Sequence, residues 1–292
     1  MRYSSDWQDF QVVASGGGEK LEKWGNFYLL RPDPQAIWAP KFDFSTFRML
    51  HGKYIRSQSG GGNWEFRKTL PDEWLVGYKN LKFIISPTSF KHTGLFPEQA
   101  VNWDKVTDVI KERIKNGEAP RVLNLFGYTG GATVAAAMAG ATVTHVDASK
   151  GMMDVCRRNV ELNNIPHDRV RYIVDDCTKF VAREIRREKQ YDAIIMDPPS
   201  FGRGANGEVW KIEQHLDPLV ELCCQVLSDK PLFFLVNSYT TGLQPTVIKN
   251  ILKRNLDKIV RKKCTIDSYE IGVPTLEEII LPAGCSAFTE FK

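Results

Sequence analysis

Three aspartates, Asp147, Asp176 and Asp197, each stand at or just past the end of a short β-favouring run, and a glycine turn, Gly127 to Gly131, closes a fourth. Carboxylates so placed accept hydrogen bonds. Asp147 suits a pair of ribose hydroxyls, and Asp176 an exocyclic amine of adenine, while apolar neighbours cover the ring. Asp197 opens the run D-P-P-S-F. Its prolines fix φ and leave main-chain carbonyls unencumbered, so Asp197 and the Pro198 carbonyl can together receive the hydrogens of a planar nitrogen. Pro199 shapes the turn, and Phe201 can stack on the ring that carries that nitrogen. The plain alternatives are a solvated or helix-capping acid after a strand, and a proline turn that merely closes one.

Such loops need strands and helices behind them. Val122 to Phe126, in R-V-L-N-L-F-G-Y-T-G-G, reads as a buried parallel strand carrying Asn124 and Phe126. Gly127, Tyr128, Thr129 and Gly130 form the strand-to-helix turn, and the small residues from Gly131 onward make a helix whose N-terminus points beyond the sheet. The turn glycines do not fit G-x-G-x-x-G, which disfavours a nicotinamide enzyme. Ala141 to Val146 is a second strand, followed by Ser149 and a helix over Gly151 to Asn163. Arg169 to Val174 is a third, followed by a helix over Lys179 to Lys189 whose Arg183, Arg186 and Arg187 read as a solvated face. Tyr191 to Met196 is the fourth. The alternation of strand and helix predicts an α/β, Rossmann-like domain built on a parallel sheet.

With 292 residues, 42% of them hydrophobic, the chain can bury a full core and is expected to divide in two, a small β domain over residues 1–88 and an α/β domain over 89–292. Net charge is +4, which permits a nucleic-acid partner without arguing for one. The six cysteines form no C-x-x-C pair and the five histidines are scattered, so no metal is expected. No apolar run approaches a membrane span and the first residues lack a signal-peptide core, so the cytoplasm is the expected location. Up to Pro87 the chain carries short β-like runs, Phe10 to Val13, Phe27 to Leu30, Tyr54 to Arg56, Trp64 to Phe66 and Leu81 to Ile85, broken by Gly16-Gly17-Gly18 and Gly60-Gly61-Gly62. They predict a small antiparallel β domain. Its tryptophans, Trp7, Trp24, Trp38, Trp64 and Trp74, are mixed with Arg31, Lys41, Arg48, Lys53, Arg56, Arg67 and Lys68. That mixture can stack and neutralise single-stranded RNA, or can simply fill the core of a domain short of aliphatic residues.

Ser89 to Trp103 joins the halves and passes into a helix over Val106 to Lys115. Beyond the fourth strand, Leu232 to Val236 is a fifth, Thr246 to Leu256 is helical, and Cys264 to Ile271, Ile279 to Leu281 and Ser286 to Phe291 read as strands punctuated by Pro274, Pro282 and Gly284. Arg261, Lys262 and Lys263 could touch phosphate but read first as a plain surface charge run.

In this order N-L-F-G-Y-T-G-G, V-D-A-S, D-D-C and D-P-P-S-F resemble the class I S-adenosylmethionine-dependent methyltransferases, in particular the group that modifies bases of large-subunit ribosomal RNA. K-H-T-G-L-F-P-E-Q-A-V-N-W resembles that group's K-T-G-x-F-x-D-Q-R-x-N-R signature, and the likeness spans about Phe90 to Lys292. It implies a seven-stranded sheet with one antiparallel strand and S-adenosyl-L-methionine as the methyl donor. It also implies that Thr93 and Phe96 help cover the methionine part, that Asn124 to Gly130 cradle the cofactor, that Asp147 takes the ribose, that Ser149 belongs to the cofactor site, that Asp176 and Cys177 flank adenine, and that Asp197 lies between cofactor and acceptor. The cysteine motif of the 5-methylcytosine branch is missing after Val236, where Asn237-Ser238-Tyr239-Thr240 stands instead. Attack on cytosine carbon 6 needs that thiolate, so covalent chemistry is not expected. Asn237-Ser238 with Gly242 is nearer to the branch that makes 7-methylguanine, without its basic pair. The expected reaction is methyl transfer to a ring or exocyclic nitrogen of a nucleobase of ribosomal RNA. Methylation of a protein or small molecule, and a non-catalytic nucleotide- or RNA-binding adapter, are the alternatives.

Overall fold

The computed structural model describes residues 1–57, 61–87, 91–203, 207 and 209–292. The chain forms two compact units, one of Met1–Val101 with Ile271–Ala283, the other of Asn102–Glu270 with Gly284–Lys292. The boundary expected between residues 88 and 89 lies outside the described residues, as do Gly60 and Phe90. The return of Ile271–Ala283 to the first unit has no local signature. It comes from long-range pairing, in which Thr275 bridges Val12 and the Ser15 N–H donates to Glu277 Oε2 at 2.8 Å.

In the first unit β1 (Phe10–Gly16), β2 (Glu19–Trp24), β3 (Phe27–Pro32), β4 (Leu50–Arg56) and β5 (Gly62–Phe66) form one sheet in chain order, and β6 (Trp74–Tyr78) with β7 (Leu81–Ile85) forms a hairpin. The pairings among β1 to β7 are antiparallel except β3 with β4, which corrects the expectation of a wholly antiparallel domain. The link between them, through the short turn Phe44–Thr46, crosses back so that β4 enters in the direction of β3. β2 was not foreseen because its charges hide its alternation. Leu21, Glu22 and Trp24 are nevertheless fully buried. Glu22 survives there because Arg31 grips it with Nε at 2.6 Å and Nη2 at 2.8 Å, while Trp24 Nε1 donates at 3.1 Å. Burial works to raise its pKa, but Arg31 and Lys20 hold it down to about 2.

The second unit alternates α1 (Ala100–Lys115), β8 (Arg121–Leu125), α2 (Gly131–Met138), β9 (Thr142–Asp147), α3 (Lys150–Leu162), β10 (Val170–Val174), α4 (Cys177–Arg186) and β11 (Ala193–Met196). A hairpin of β12 (Phe201–Arg203) and β13 (Val209–Lys211) precedes α5 (Ile212–Gln225), β14 (Phe233–Ser238), α6 (Pro245–Asn255), β15 (Cys264–Pro274) and β16 (Ile280–Phe291). The sheet order is β10-β9-β8-β11-β14-β16-β15. β8 to β11 and β14 pair in parallel, and β16 runs antiparallel to β14. The class I methyltransferase architecture is therefore present. Its core is Leu123, Leu125, Ile194 and Met196 on the central strands packed with Phe180, Leu219, Val220 and Phe234. Pro282 and Gly284, read from the sequence as breaks, lie within the continuous β16. Gly284 is there because a Cβ would come within 2.7 Å of the Ser238 carbonyl, so the glycine serves close approach rather than a turn.

Two of the arginines expected on a solvated helical face are ion-paired. Arg183 reaches Asp175, and Arg187 lies 3.2 Å from the buried Glu184, which also accepts from Tyr191 Oη at 2.6 Å. No helix among the described residues is long and apolar enough to cross a membrane.

Candidate functional site

β8 is the first strand of the second unit, and its neighbours β9 and β11 lie on opposite sides of it, so the chain reverses its direction of winding at β8. In open parallel sheets a crevice forms beyond the carboxyl ends of the strands at such a switch point. The strand ends are level: Leu125 is paired with Val146 and with Met196, and Asp147 with Val174. The turn 126–130 and the acids Asp147, Asp176 and Asp197 therefore share one rim.

The turn is held in a high-energy backbone shape. Phe126 and Tyr128 have φ of 54° and 52°, and Gly130 has φ of 88° as the N-cap of α2, with no side-chain cap. Left-handed non-glycine residues persist only where their surroundings enforce them, and they gather at binding sites. What enforces them lies beneath. A Cβ on Gly127 would sit 2.3 Å from the His145 ring, and one on Gly130 would sit 2.5 Å from Cys156 Sγ. The glycines thus serve first to seat the turn on His145 and Cys156. Asn124 belongs to the same support. It is 2% exposed and donates through Nδ2 to Thr133 Oγ1 at 2.8 Å, which in turn meets His145 Nδ1 at 2.8 Å. Thr129, also buried, has its carbonyl held by Asn159 Nδ2 at 2.9 Å.

Burial drives His145 down to about 4 against a weaker opposing contact from the Tyr128 backbone. It is therefore neutral beneath the turn. With a folded pKa below the unfolded value of about 6.5, the unfolded chain binds the proton first, so stability is full above that pH and is lost as pH falls toward about 4. In urea titrations between pH 7.5 and 4.5, His145→Gln is expected to show a shallower loss, by about 1.4 kcal/mol for each unit of depression removed.

Asp147 is half-buried at the tip of β9. Its Oδ2 accepts from the Tyr128 N–H and its Oδ1 from the Ser149 N–H, each at 2.8 Å. Burial raises its pKa, and these two donors oppose the rise. Ser149 is the N-cap of α3, its hydroxyl accepting from the Met152 N–H at 3.3 Å. Asp176 caps α4 through Oδ1, which accepts from the Lys179 N–H at 2.8 Å, so it does the capping work that was the plain alternative. Cys177 is 3% exposed and part of the core, where burial pushes its thiol well above the usual range. Phe126 packs against the same core. Thr93 and Phe96 fall in the first unit. Thr93 is fully buried, its hydroxyl without a hydrogen-bond partner among the described residues, and Phe96 lies 5.2 Å from the His92 ring.

The D-P-P-S run is locked from two sides. Trp210 Nε1 donates to the Pro199 carbonyl at 2.6 Å, and Ser200 Oγ meets Thr240 Oγ1 at 2.6 Å. Among the described residues no donor meets the Pro198 carbonyl. Phe201 is 53% exposed on β12, with the Arg203 guanidinium 5.9 Å from its ring centre. Asn237, by contrast, is committed to a buried cluster, accepting from Asn102 at 3.1 Å and Ser286 at 2.8 Å. Trp210 was not foreseen. Its ring lies 5.0 Å from that of Phe126, so one side chain ties the turn after β8 to the turn after β11. Its only signal was a lone tryptophan in the glycine-bearing stretch after D-P-P-S-F. Trp210→Phe keeps the packing and removes a net hydrogen bond of about 1 kcal/mol, so turnover is expected to fall by roughly fivefold at unchanged cofactor affinity, as measured by initial rates and calorimetry.

Residues 15–228 match the family model for S-adenosylmethionine-dependent methyltransferases. The crystal structure of an S-adenosylmethionine-dependent methyltransferase from Agrobacterium tumefaciens is 32% identical with a TM-score of 0.89, covering 99% of this chain and 92% of that one. Ribosomal RNA large subunit methyltransferase K of Neisseria meningitidis serogroup B is 27% identical over 286 residues, 92% of this chain and 79% of that protein. Ribosomal RNA large subunit methyltransferase I of Salmonella arizonae is 44% identical over 85 residues, but these are 29% of this chain and 21% of that protein.

Proposed function

We propose, proceeding from the fact that this chain belongs to the S-adenosylmethionine-dependent methyltransferase family, that it methylates a nitrogen of a nucleobase in ribosomal RNA. The chain is an enzyme, and its cofactor is S-adenosyl-L-methionine. RNA as the acceptor is supported by the names of the relatives, and a planar nitrogen by the rim itself.

The donor set fits such a nucleoside cofactor. Asp147 is a half-buried carboxylate beside a left-handed turn, and the N-terminus of α2 above that turn has no side-chain cap. We assign Asp147 to the ribose hydroxyls, with Ser149 shaping its loop. Phe126, Gly127, Tyr128, Thr129 and Gly130 form the cradle, with Asn124 supporting it from below. Asp176 and Cys177 border the adenine, the first through the carboxylate oxygen its capping bond leaves over. When bound, S-adenosylmethionine supplies an electrophilic methyl on a sulfonium centre.

The chain's own residues then have one task, to place the acceptor. Asp197 and the Pro198 carbonyl hold the hydrogens of the nitrogen and so aim its lone pair, and the Asp197 carboxylate receives the proton released on methylation. Holding two reactants in line accounts for most of the rate, because a fixed orientation replaces a bimolecular search. Pro199 sets the turn, and Phe201 covers one face of the acceptor ring. The observation that carries this reading is the pairing of an engaged Pro199 carbonyl with a Pro198 carbonyl that no described residue engages. No cysteine stands in Tyr239 to Gly242, directly after β14, which agrees with direct transfer.

The test is transfer of labelled methyl from S-adenosylmethionine to ribosomal RNA, protein and small-metabolite pools, followed by nucleoside analysis. Label on a base nitrogen is expected. Label confined to protein or metabolites, or on carbon 5 of a pyrimidine, would overturn it. The cytoplasm is the location consistent with such a substrate.

A further inference from the structure

Four of the five tryptophans near the start of the chain are structural. Trp24 is fully buried, Trp7 packs on Phe10 and Tyr78, Trp38 donates to the Ser15 carbonyl at 2.8 Å, and Trp74 meets Phe27 edge-on. Trp64 differs. It stands on β5, the edge strand of the five-stranded sheet, parallel to Phe66 with rings 6.0 Å apart and 5° from coplanar. Phe66 is 56% exposed. Both rings are fixed from below: Tyr54 meets Trp64 edge-on at 5.5 Å, and Phe66 lies over Gly52, where a Cβ would come within 3.0 Å of it. Glu65, between them, faces the other way, in register with Lys53.

Cations outnumber carboxylates around these rings, with Asp43 near enough to interact with Arg67. Arg56, two residues from Tyr54 and therefore on the same face, is exposed, as are Arg48, Arg67 and Lys68 beyond the other end of β5. Arg67 is bound to the Ser45 carbonyl, and Lys68 to the Arg48 carbonyl at 2.8 Å. Neutral carbonyls hold these cations in place without cancelling them, and among the described residues none of the four has a carboxylate at ion-pair distance.

We propose that β4 and β5 present a preorganised stacking platform for unpaired bases of RNA, with Trp64 and Phe66 against base faces and Arg56, Arg67 and Lys68 on the phosphates. The inference deepens the RNA-acceptor reading and rests on it for the choice of partner. Single-stranded RNA fits best because only unpaired bases offer their faces, and stacking on aromatic rings beside a basic track needs no base sequence.

The experiment measures anisotropy of a fluorescein-labelled oligouridylate, and of a duplex of the same length, with the full chain. Trp64→Ala and Phe66→Ala are expected to weaken binding of the single strand by about tenfold or more each, with S-adenosylhomocysteine affinity and circular dichroism unchanged. Arg56→Gln is expected to lower the slope of log affinity against log salt by about one. Equal binding of the duplex, or full affinity in a folded Phe66→Ala variant, would overturn the platform while leaving methyl transfer to RNA standing. Loss of S-adenosylhomocysteine affinity in both aromatic variants would also overturn it, since it would make the rings structural. Platform-dependent binding by a chain that methylates only protein would support the platform and overturn the acceptor reading.

Discussion

Asp197→Ala is expected to lower kcat by about a thousandfold while S-adenosylhomocysteine affinity stays within threefold of the parent. Asp197 follows β11, level with the turn after β8, and its neighbours are positioned from outside by Trp210 and Thr240. Removing its carboxylate takes away an orienting acceptor and the proton's destination, both of which count only when the acceptor nitrogen is in place. A charge-assisted hydrogen bond is worth roughly 1.5–3 kcal/mol, and loss of a positioned proton acceptor commonly costs a hundredfold or more, so about a thousandfold is the combined expectation. Single-turnover rates with saturating cofactor read the effect, and calorimetry with the homocysteine product reads the binding. A matching fall in both would show that Asp197 faces the cofactor and not the acceptor.

Asp147→Ala is expected to do the reverse, weakening S-adenosylhomocysteine by about a hundredfold. Two hydroxyl bonds to one carboxylate supply most of that figure. The rest comes from the loop, because Asp147 also receives the Tyr128 and Ser149 N–H groups and so helps hold the left-handed turn. Asp147→Asn separates the contributions, since it keeps an acceptor for one N–H and loses the charge. Because burial raises the Asp147 pKa, affinity for the product is also expected to fall on acidification in the parent and not in the asparagine variant. A hundredfold loss in alanine together with no loss in asparagine would assign Asp147 to the loop alone.

How much of this was legible depended on whether the cause was local. β8, β9, β10 and β11 were readable because short apolar runs end in turn residues, and the carboxylates at their ends follow from the parallel sheet. The glycines at 127 and 130 were readable as a strand-to-helix turn, but the contacts that require them, with His145 and Cys156, were not, because those residues lie far along the chain. β2 was hidden because its Glu22 is a buried ion-pair partner, and a charge at a core position breaks the alternation that marks a strand. α5 escaped because Pro218 interrupts its interior. Three-residue strands such as β12 and β13 are too short for any period, so Trp210 could not be placed. The support that Asn124 gives the turn was not legible, because it depends on Thr133 and His145, which follow later in the chain.

The fit of Gly127 against His145 has a consequence for descent. The imidazole fills the space a methyl group at 127 would need, so position 127 cannot gain a side chain while the histidine stays. A lineage that acquires alanine at 127 must already have exchanged the histidine for something slimmer, and the path between the two pairings passes in that order.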